Sequence, residues 1–193
     1  MKIINLTEDS KRYTSNVFLV LGTWNAVDDA NTLIDVGSDE NIIGKIGAIN
    51  TGLGKKKVDQ VILTHSHSDH SAILPIIKEA YNPIVYALNP HIKGVDRLLA
   101  DGMVLRIAEQ YFEVFHITAH SCDSVCLYCK TDGVLFAGDT SFPIEFENNR
   151  LKAENEQVLK RLAKMNIKTV YPGHGAPRQY ANNQFRIIKE KQF

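Results

Sequence analysis

Apolar and polar positions alternate in short runs along most of this chain, and few stretches are long enough for a helix. Lys2 to Leu6, Asn16 to Gly22 and Asn31 to Val36 have the β-branched and apolar residues of strands and predict the start of a first antiparallel sheet. Glu40 to Thr51 reads as a helix broken by Gly44 and Gly47, because glycine weakens a helix. Val58 to Thr64 predicts a buried strand. Ser71 to Ala80 follows as a helix with Ser71 as its N-cap, then Pro83 to Leu88 as a strand and Pro90 to Ala100 as a short helix. Strands are expected at 103–107, 111–118, 125–130 and 133–137, joined by tight turns such as Thr131-Asp132-Gly133. Between Glu154 and Met165, the positions Val158, Leu159, Leu162 and Met165 have the spacing of a core-facing helix. A strand at Lys168–Tyr171 and a final helix near Asn182–Lys189 complete the pattern, which contains no repeat or linker.

A length of 193 residues fits one domain, 1–193, with enough chain to bury a core. Lys plus Arg (22) equals Asp plus Glu (22), so charge gives no reason to expect a nucleic-acid or membrane partner. A small-molecule substrate is the expected partner, and a homodimer is left open. Lys55-Lys56-Lys57 reads as a solvated loop. No apolar run approaches the roughly 20 residues that cross a bilayer. Acidic residues follow Met1 before any signal-peptide core could form, so cytoplasmic residence is expected. The three cysteines, an odd set, fit a reducing compartment. Cys126 and Cys129 lie three apart on an expected strand and so point to opposite faces, away from a shared ion. Cys122, two residues past His120, is read as a loop thiol or as one facing a pocket.

Chemistry concentrates in Thr64-His65-Ser-His67-Ser-Asp69-His70, where four potential metal ligands directly follow a buried strand. Imidazole nitrogen and carboxylate oxygen suit zinc, iron or manganese. Three more strand-like runs end close to donors, at His120, Asp139 and His174, and five of the seven histidines fall in these loops. Loops at strand ends converge on one crevice in α/β sheets, so these donors are candidates for a single site. His91 and His116 fall outside the pattern and read as structural.

The motifs Thr64–His70, Thr118-Ala-His120-Ser-Cys-Asp-Ser124, Leu135-Phe-Ala-Gly-Asp139-Thr140 and Tyr171-Pro-Gly-His174-Gly175, with Asn16–Val20 and Thr32–Gly37 upstream, resemble the metallo-β-lactamase-fold hydrolases, most closely their glyoxalase II-like branch. The resemblance implies an α/β (α+β) four-layer αββα sandwich of two mixed β-sheets. It also implies two divalent metal ions, zinc foremost, with iron or manganese as alternatives. His65, His67 and His120 would hold one ion, Asp69, His70 and His174 the other, and Asp139 would bridge them. The implied reaction is attack on an ester-type carbonyl, first a thioester, by a hydroxide bridging the two ions, with Asp69 and Asp139 as the catalytic carboxylates. Two departures stand out. Ser71 replaces a common glycine, and Asp123, read as a solvated loop residue, stands where glyoxalase II relatives often have glycine. Only 19 residues follow His174, so the glutathione-binding helical extension of glyoxalase II proper has no counterpart in this sequence.

Ser141 to Arg150 is the expected pocket lid. Phe142, Phe146 and Arg150 are candidate substrate contacts, and Trp24, beside the polar turn Asn25–Ala30, is a candidate for the rim; ordinary packing is the competing reading for each. A lactonase or β-lactamase would use the same metal pair. A mononuclear-iron sulfur dioxygenase of the same fold would not need Asp69, His70 and His174 as ligands. Charge balance disfavours an RNA-processing nuclease, and His67 with the short chain disfavours a flavin-partnered di-iron reductase. A non-catalytic binding module would be expected to have lost ligands.

Overall fold

The structure is a computed structural model and describes residues 1–145, 149–181 and 185–188. Two six-stranded sheets face each other. The first runs β1 (Lys2–Asn5), β2 (Phe18–Leu21), β3 (Thr32–Ile34), β4 (Gln60–Ile62), β5 (Ile84–Ala87), β6 (Arg97–Leu98). The second is ordered β12 (Arg178–Gln179), β11 (Thr169–Pro172), β10 (Val134–Gly138), β9 (Val125–Cys129), β8 (Gln110–His116), β7 (Val104–Ile107). β1 to β3 pair antiparallel, as the sequence pattern predicts, and the sheet then continues parallel through β6. Parallel neighbours need long crossovers. Here α1 (Ile42–Ala48) connects β3 to β4, α2 (Ser68–Ser71) and α3 (Leu74–Tyr81) connect β4 to β5, and α4 (Asn149–Glu154) and α5 (Glu156–Leu162) connect β10 to β11.

Strand alternation produces the four layers. Leu19, Leu33, Val61 and Val85 face outward onto Ile42 and Ile46 of α1 and Leu74 and Ile77 of α3. The alternate positions Phe18, Val20, Ile34 and Ile62 face inward onto Phe112, Val114, Leu127 and Phe136 of the second sheet. Phe115, Cys126, Tyr128 and Leu135 cover the far side of that sheet against Val158, Leu159 and Leu162 of α5. The fold is therefore the αββα sandwich of two mixed sheets. Cys126 and Cys129 belong to different layers, on opposite faces of β9.

Local chemistry accounts for where elements differ from the pattern. Pro90 to Ala100 forms turns and the short β6, not a helix. The Asp96 carboxylate accepts from the Val85 amide (2.8 Å) and the Leu99 amide donates to Ala87 (2.9 Å), tying the segment to the edge of β5. Ser71 is not an N-cap. It ends α2, and its hydroxyl donates back to the His67 carbonyl (3.0 Å), so the expected helix is split in two. The helix expected from Glu154 breaks at Asn155, whose amide donates to the Thr118 hydroxyl (2.7 Å) and accepts from the Thr118 amide (2.9 Å). The final helix is not seen at 185–188, where Ile188 bridges Ile144; the rest of that stretch lies outside the described residues. In the lysine run, Lys55 donates to the carbonyls of Ala26 and Asp29 and Lys57 to that of Ile49, so two of its three side chains staple loops.

Two measurements check this packing. Phe136, with only 1% of its surface exposed, lies against Phe18, Phe112 and Tyr171. Phe136→Ala is expected to lower unfolding free energy by about 3–5 kcal/mol in denaturant titration. Burial raises the thiol pKa of both strand cysteines, that of Cys126 to about 12, whereas Cys122 is exposed. A thiol reagent should therefore modify Cys122 alone in the native protein, and Cys126 and Cys129 only after unfolding.

Candidate metal centre

One end of the sandwich collects the donors. β3 leads into Asp35, β4 into His65, β10 into Asp139 and β11 into His174. Main-chain hydrogen bonds join the two sheets at this end, Val125 donating to Thr64 (2.8 Å) and Asn16 to Gly173 (2.6 Å), while Gly173 donates to Gly138 (2.6 Å) within the second sheet. Asp69 and His70 are carried on α2, and His120 on the loop between β8 and β9. Gly173 is required by the crowding, since a Cβ there would collide with the Asp139 carboxylate and the His70 ring. Gly138, at φ +50°, takes the left-handed turn that aims Asp139, and a side chain on it would strike Thr64.

The candidate ligands form two groups, His65, His67, His120 and Asp139 in one and Asp69, His70 and His174 in the other, with donor atoms in each within 4.8 Å of one another. Asp139 touches both. Its Oδ2 lies 3.9 Å from His65 Nε2, 3.6 Å from His120 Nε2 and 3.7 Å from His174 Nε2, while its Oδ1 lies 3.2 Å from His70 Nε2. Asp69 Oδ2 is 3.0 Å from His174 Nε2. His65 and His70 are buried, whereas His67, His120 and His174 are exposed, so the site is closed from beneath and open above.

Asp35 organises the buried side. Its carboxylate accepts from the Thr64 amide (2.7 Å), the Thr64 hydroxyl (2.8 Å) and His70 Nδ1 (2.8 Å). The last contact fixes the tautomer and turns Nε2 of His70 toward the cluster, the usual second partner of a metal-binding imidazole. Asp35 itself stands at φ +59°, a conformation few residues other than glycine tolerate.

The electrostatics of the cluster fit a cation. Burial and the neighbouring His70 push His65 down to about 4, so it presents a neutral imidazole. Burial works to lower His70 too, yet Asp35 and Asp139 overcome it and lift the ring to about 10. Burial raises Asp139, but His70 and the surrounding imidazoles prevail and hold it at about 2. Positive charge is thus wanted between Asp139 and His70. His70 Nε2 and Asp139 Oδ1 are nonetheless buried without a well-aligned hydrogen bond, their 3.2 Å approach notwithstanding. Orphaned donor atoms, a nitrogen and oxygen ligand set and a carboxylate shared by two groups fit two divalent ions of the zinc, iron or manganese kind.

All seven sequence-predicted ligands are brought together here, but not every other candidate is. Trp24, 88% exposed, sits beyond the C-terminal end of β2, which pairs antiparallel to β3, so it lies at the end of the sheet opposite Asp35 and the ligands. Phe142 is buried against Phe185 (5.1 Å) and lines a cleft beside Asp139. Arg150 is exposed, pairs with Glu154 (2.8 Å) and is not among the cleft's lining residues. Phe146 lies outside the described residues. Asp123 is 7% exposed rather than solvated and accepts from the Ser121 hydroxyl (2.7 Å). His116 Nε2 lies 2.8 Å from the Cys122 carbonyl, and His91 has no place in the cluster. Sequence reasoning gave Asp35 no role, although it ends an apolar strand just as the ligands do. It also overlooked Tyr13, whose ring stacks on His174 at 5.6 Å and 19°.

The chain belongs to the metallo-beta-lactamase superfamily, whose family model matches residues 11–106 and 87–174. It is 28% identical over 141 residues to the lactamase-like protein aptB of Emericella nidulans, a match covering 70% of this chain and 45% of that protein. The chain thus spans under half the length of that relative. It is 27% identical to the hydroxyacylglutathione hydrolase of Hydrogenovibrio crunogenus over 98% of this chain and 68% of the other. The structure of TTHA1623 in a di-iron-bound form superposes with a TM-score of 0.65 at 24% identity, covering 93% and 94% of the two chains.

Elemental analysis of purified variants tests the ligand geometry. Asp139→Ala is expected to lose most of the bound metal, and His174→Ala mainly the ion of its own group. Asp35→Ala should weaken metal affinity by about 10- to 100-fold without removing a ligand. Wild-type metal content in all three would refute the assignment.

Proposed function

We propose that this protein is a dinuclear metal-dependent hydrolase that cleaves a small-molecule thioester. The observation that carries the reading is the shared carboxylate: Asp139 reaches both histidine groups, so two ions can be held side by side. His65, His67 and His120 would hold one ion and Asp69, His70 and His174 the other. Such a pair supplies Lewis acidity and acidifies water from a pKa of 15.7 toward about 7.

The chain's own groups do the rest. Asp69, within reach of His174, accepts a hydrogen bond from the attacking water and aligns it. The buried His65 and His70 close the floor against bulk water, while the exposed rims of His67, His120 and His174 admit the substrate. Asp139 stays ionised and cannot donate a proton to a leaving group. A thiolate departs without one; an amine does not. That difference favours a thioester over an amide, and the hydroxyacylglutathione hydrolase relative supports the same class. An activated ester or lactone is the next substrate by the same chemistry. The second group, Asp69, His70 and His174, is as tightly drawn as the first, which favours two ions over the single iron of a sulfur dioxygenase. No helix among the described residues is long and apolar enough to cross a membrane. The three free cysteines of the chain support our proposal that the enzyme resides in the reducing cytoplasm.

Purified protein should contain zinc, iron or manganese and hydrolyse thioesters faster than lactones, phosphodiesters or the matching amides. Asp69→Ala is expected to cut turnover by at least about a hundredfold. Preferential cleavage of a phosphodiester, or oxygen uptake with a persulfide, would overturn the thioesterase reading.

A further inference from the structure

A cleft of about 320 Å³ opens beside the ligand cluster, and its lining includes His120, Asp139 and His174 together with Arg178 and Tyr180. The wall is built by the short edge strand β12, on which Arg178 pairs with Val170 of β11. Side chains alternate along a strand, so Arg178 and Tyr180 face one side and Gln179 the other. Among the described residues, Arg178 is the only lysine or arginine lining the cleft. Among the described residues Arg106, Arg150 and Arg161 are each paired with a carboxylate, whereas Arg12, Arg97, Arg178 and Arg186 have no such pair, and of these four Arg178 alone lines the cleft. A guanidinium without a carboxylate partner and a tyrosine two residues on, its ring packed on Phe185, both line a cleft shared with His120, Asp139 and His174, an arrangement suited to an anion.

We propose that Arg178 and Tyr180 form a carboxylate subsite, and that the substrate is a thioester with a carboxylate at the end remote from its reacting carbonyl. This rests on the hydrolase reading above. The spacing sets the length of the molecule. Val170, opposite Arg178, precedes His174 by four positions. At about 3.3 Å per strand residue, and with the arginine reaching part of the way back, carbonyl and carboxylate are separated by roughly 7–10 Å. One guanidinium and one neutral donor balance a single negative charge, which suits a carboxylate better than a doubly charged phosphate.

Isothermal titration of the zinc-loaded protein with pimelate and with heptanoate, equal in length and differing by one terminal carboxylate, tests the subsite. Wild type should bind pimelate about tenfold more tightly, a preference that Arg178→Met erases and Arg178→Lys keeps in part. Equal binding by wild type, or a preference that survives Arg178→Met, overturns the proposal. So does tighter binding of the phosphonate analogue of the same length. Turnover supplies the second arm: the acid monothioester of pimelate should exceed its methyl ester in kcat/KM about tenfold, and Arg178→Met should bring that ratio near one. If pimelate preference is present but no thioester is cleaved, the hydrolase reading fails and the subsite stands.

Discussion

The Asp139 carboxylate is the meeting point of this structure: imidazoles of His65, His70, His120 and His174 approach it from both sheets and from α2. The crowding leaves His70 Nε2 and Asp139 Oδ1 buried without a hydrogen bond, an unfavourable arrangement unless a cation joins them. The fold opposes that cost with a rigid base. Phe18, Phe112, Phe136 and Tyr171 interlock between the sheets. Above them, the main-chain bonds from Val125 to Thr64 and from Gly173 to Gly138 fix the spacing of the strand ends. The donors cannot drift apart without breaking the sandwich itself.

The supporting contacts are ranked by depth. Asp35 lies lowest, binding Thr64 and His70 together so that one ligand's orientation is set by the strand that delivers another. Asp123 and Ser121 brace the His120 loop from inside. At the surface, Asn16 donates to the carbonyls of Pro172 (2.9 Å) and Gly175 (2.8 Å), holding the loop around His174 to the first sheet. Burial decreases from floor to rim, as suits a site that must keep its ligands fixed while it admits a substrate.

Much of this was legible because strand periodicity and ligand chemistry reinforce each other. Phe18 and Val20 against Leu19 and Leu21, or Cys126 against Cys129, show the two faces of a sheet directly in the sequence. His65, His120, Asp139 and His174 each follow an apolar run, so their convergence could be read from strand ends alone. What escaped depends on partners distant in the chain. Asn155 breaks its helix for the sake of Thr118, and Asp96 draws its segment onto β5. The departures at Ser71 and Asp123 read as an N-cap and a solvated loop residue, but Ser71 ends a helix by bonding back to the His67 carbonyl and Asp123 is buried. Trp24, a rim candidate through its nearness to a polar turn, lies at the other end because distance along the chain does not say which end of a strand that turn occupies.

That last displacement has a practical side. Trp24 is the only tryptophan, and it sits in solvent at the far end of the sandwich. Indole emission therefore follows the distant loop and stays nearly silent while cations enter or leave. Tyr13, lying flat on His174, is the built-in chromophore positioned to notice.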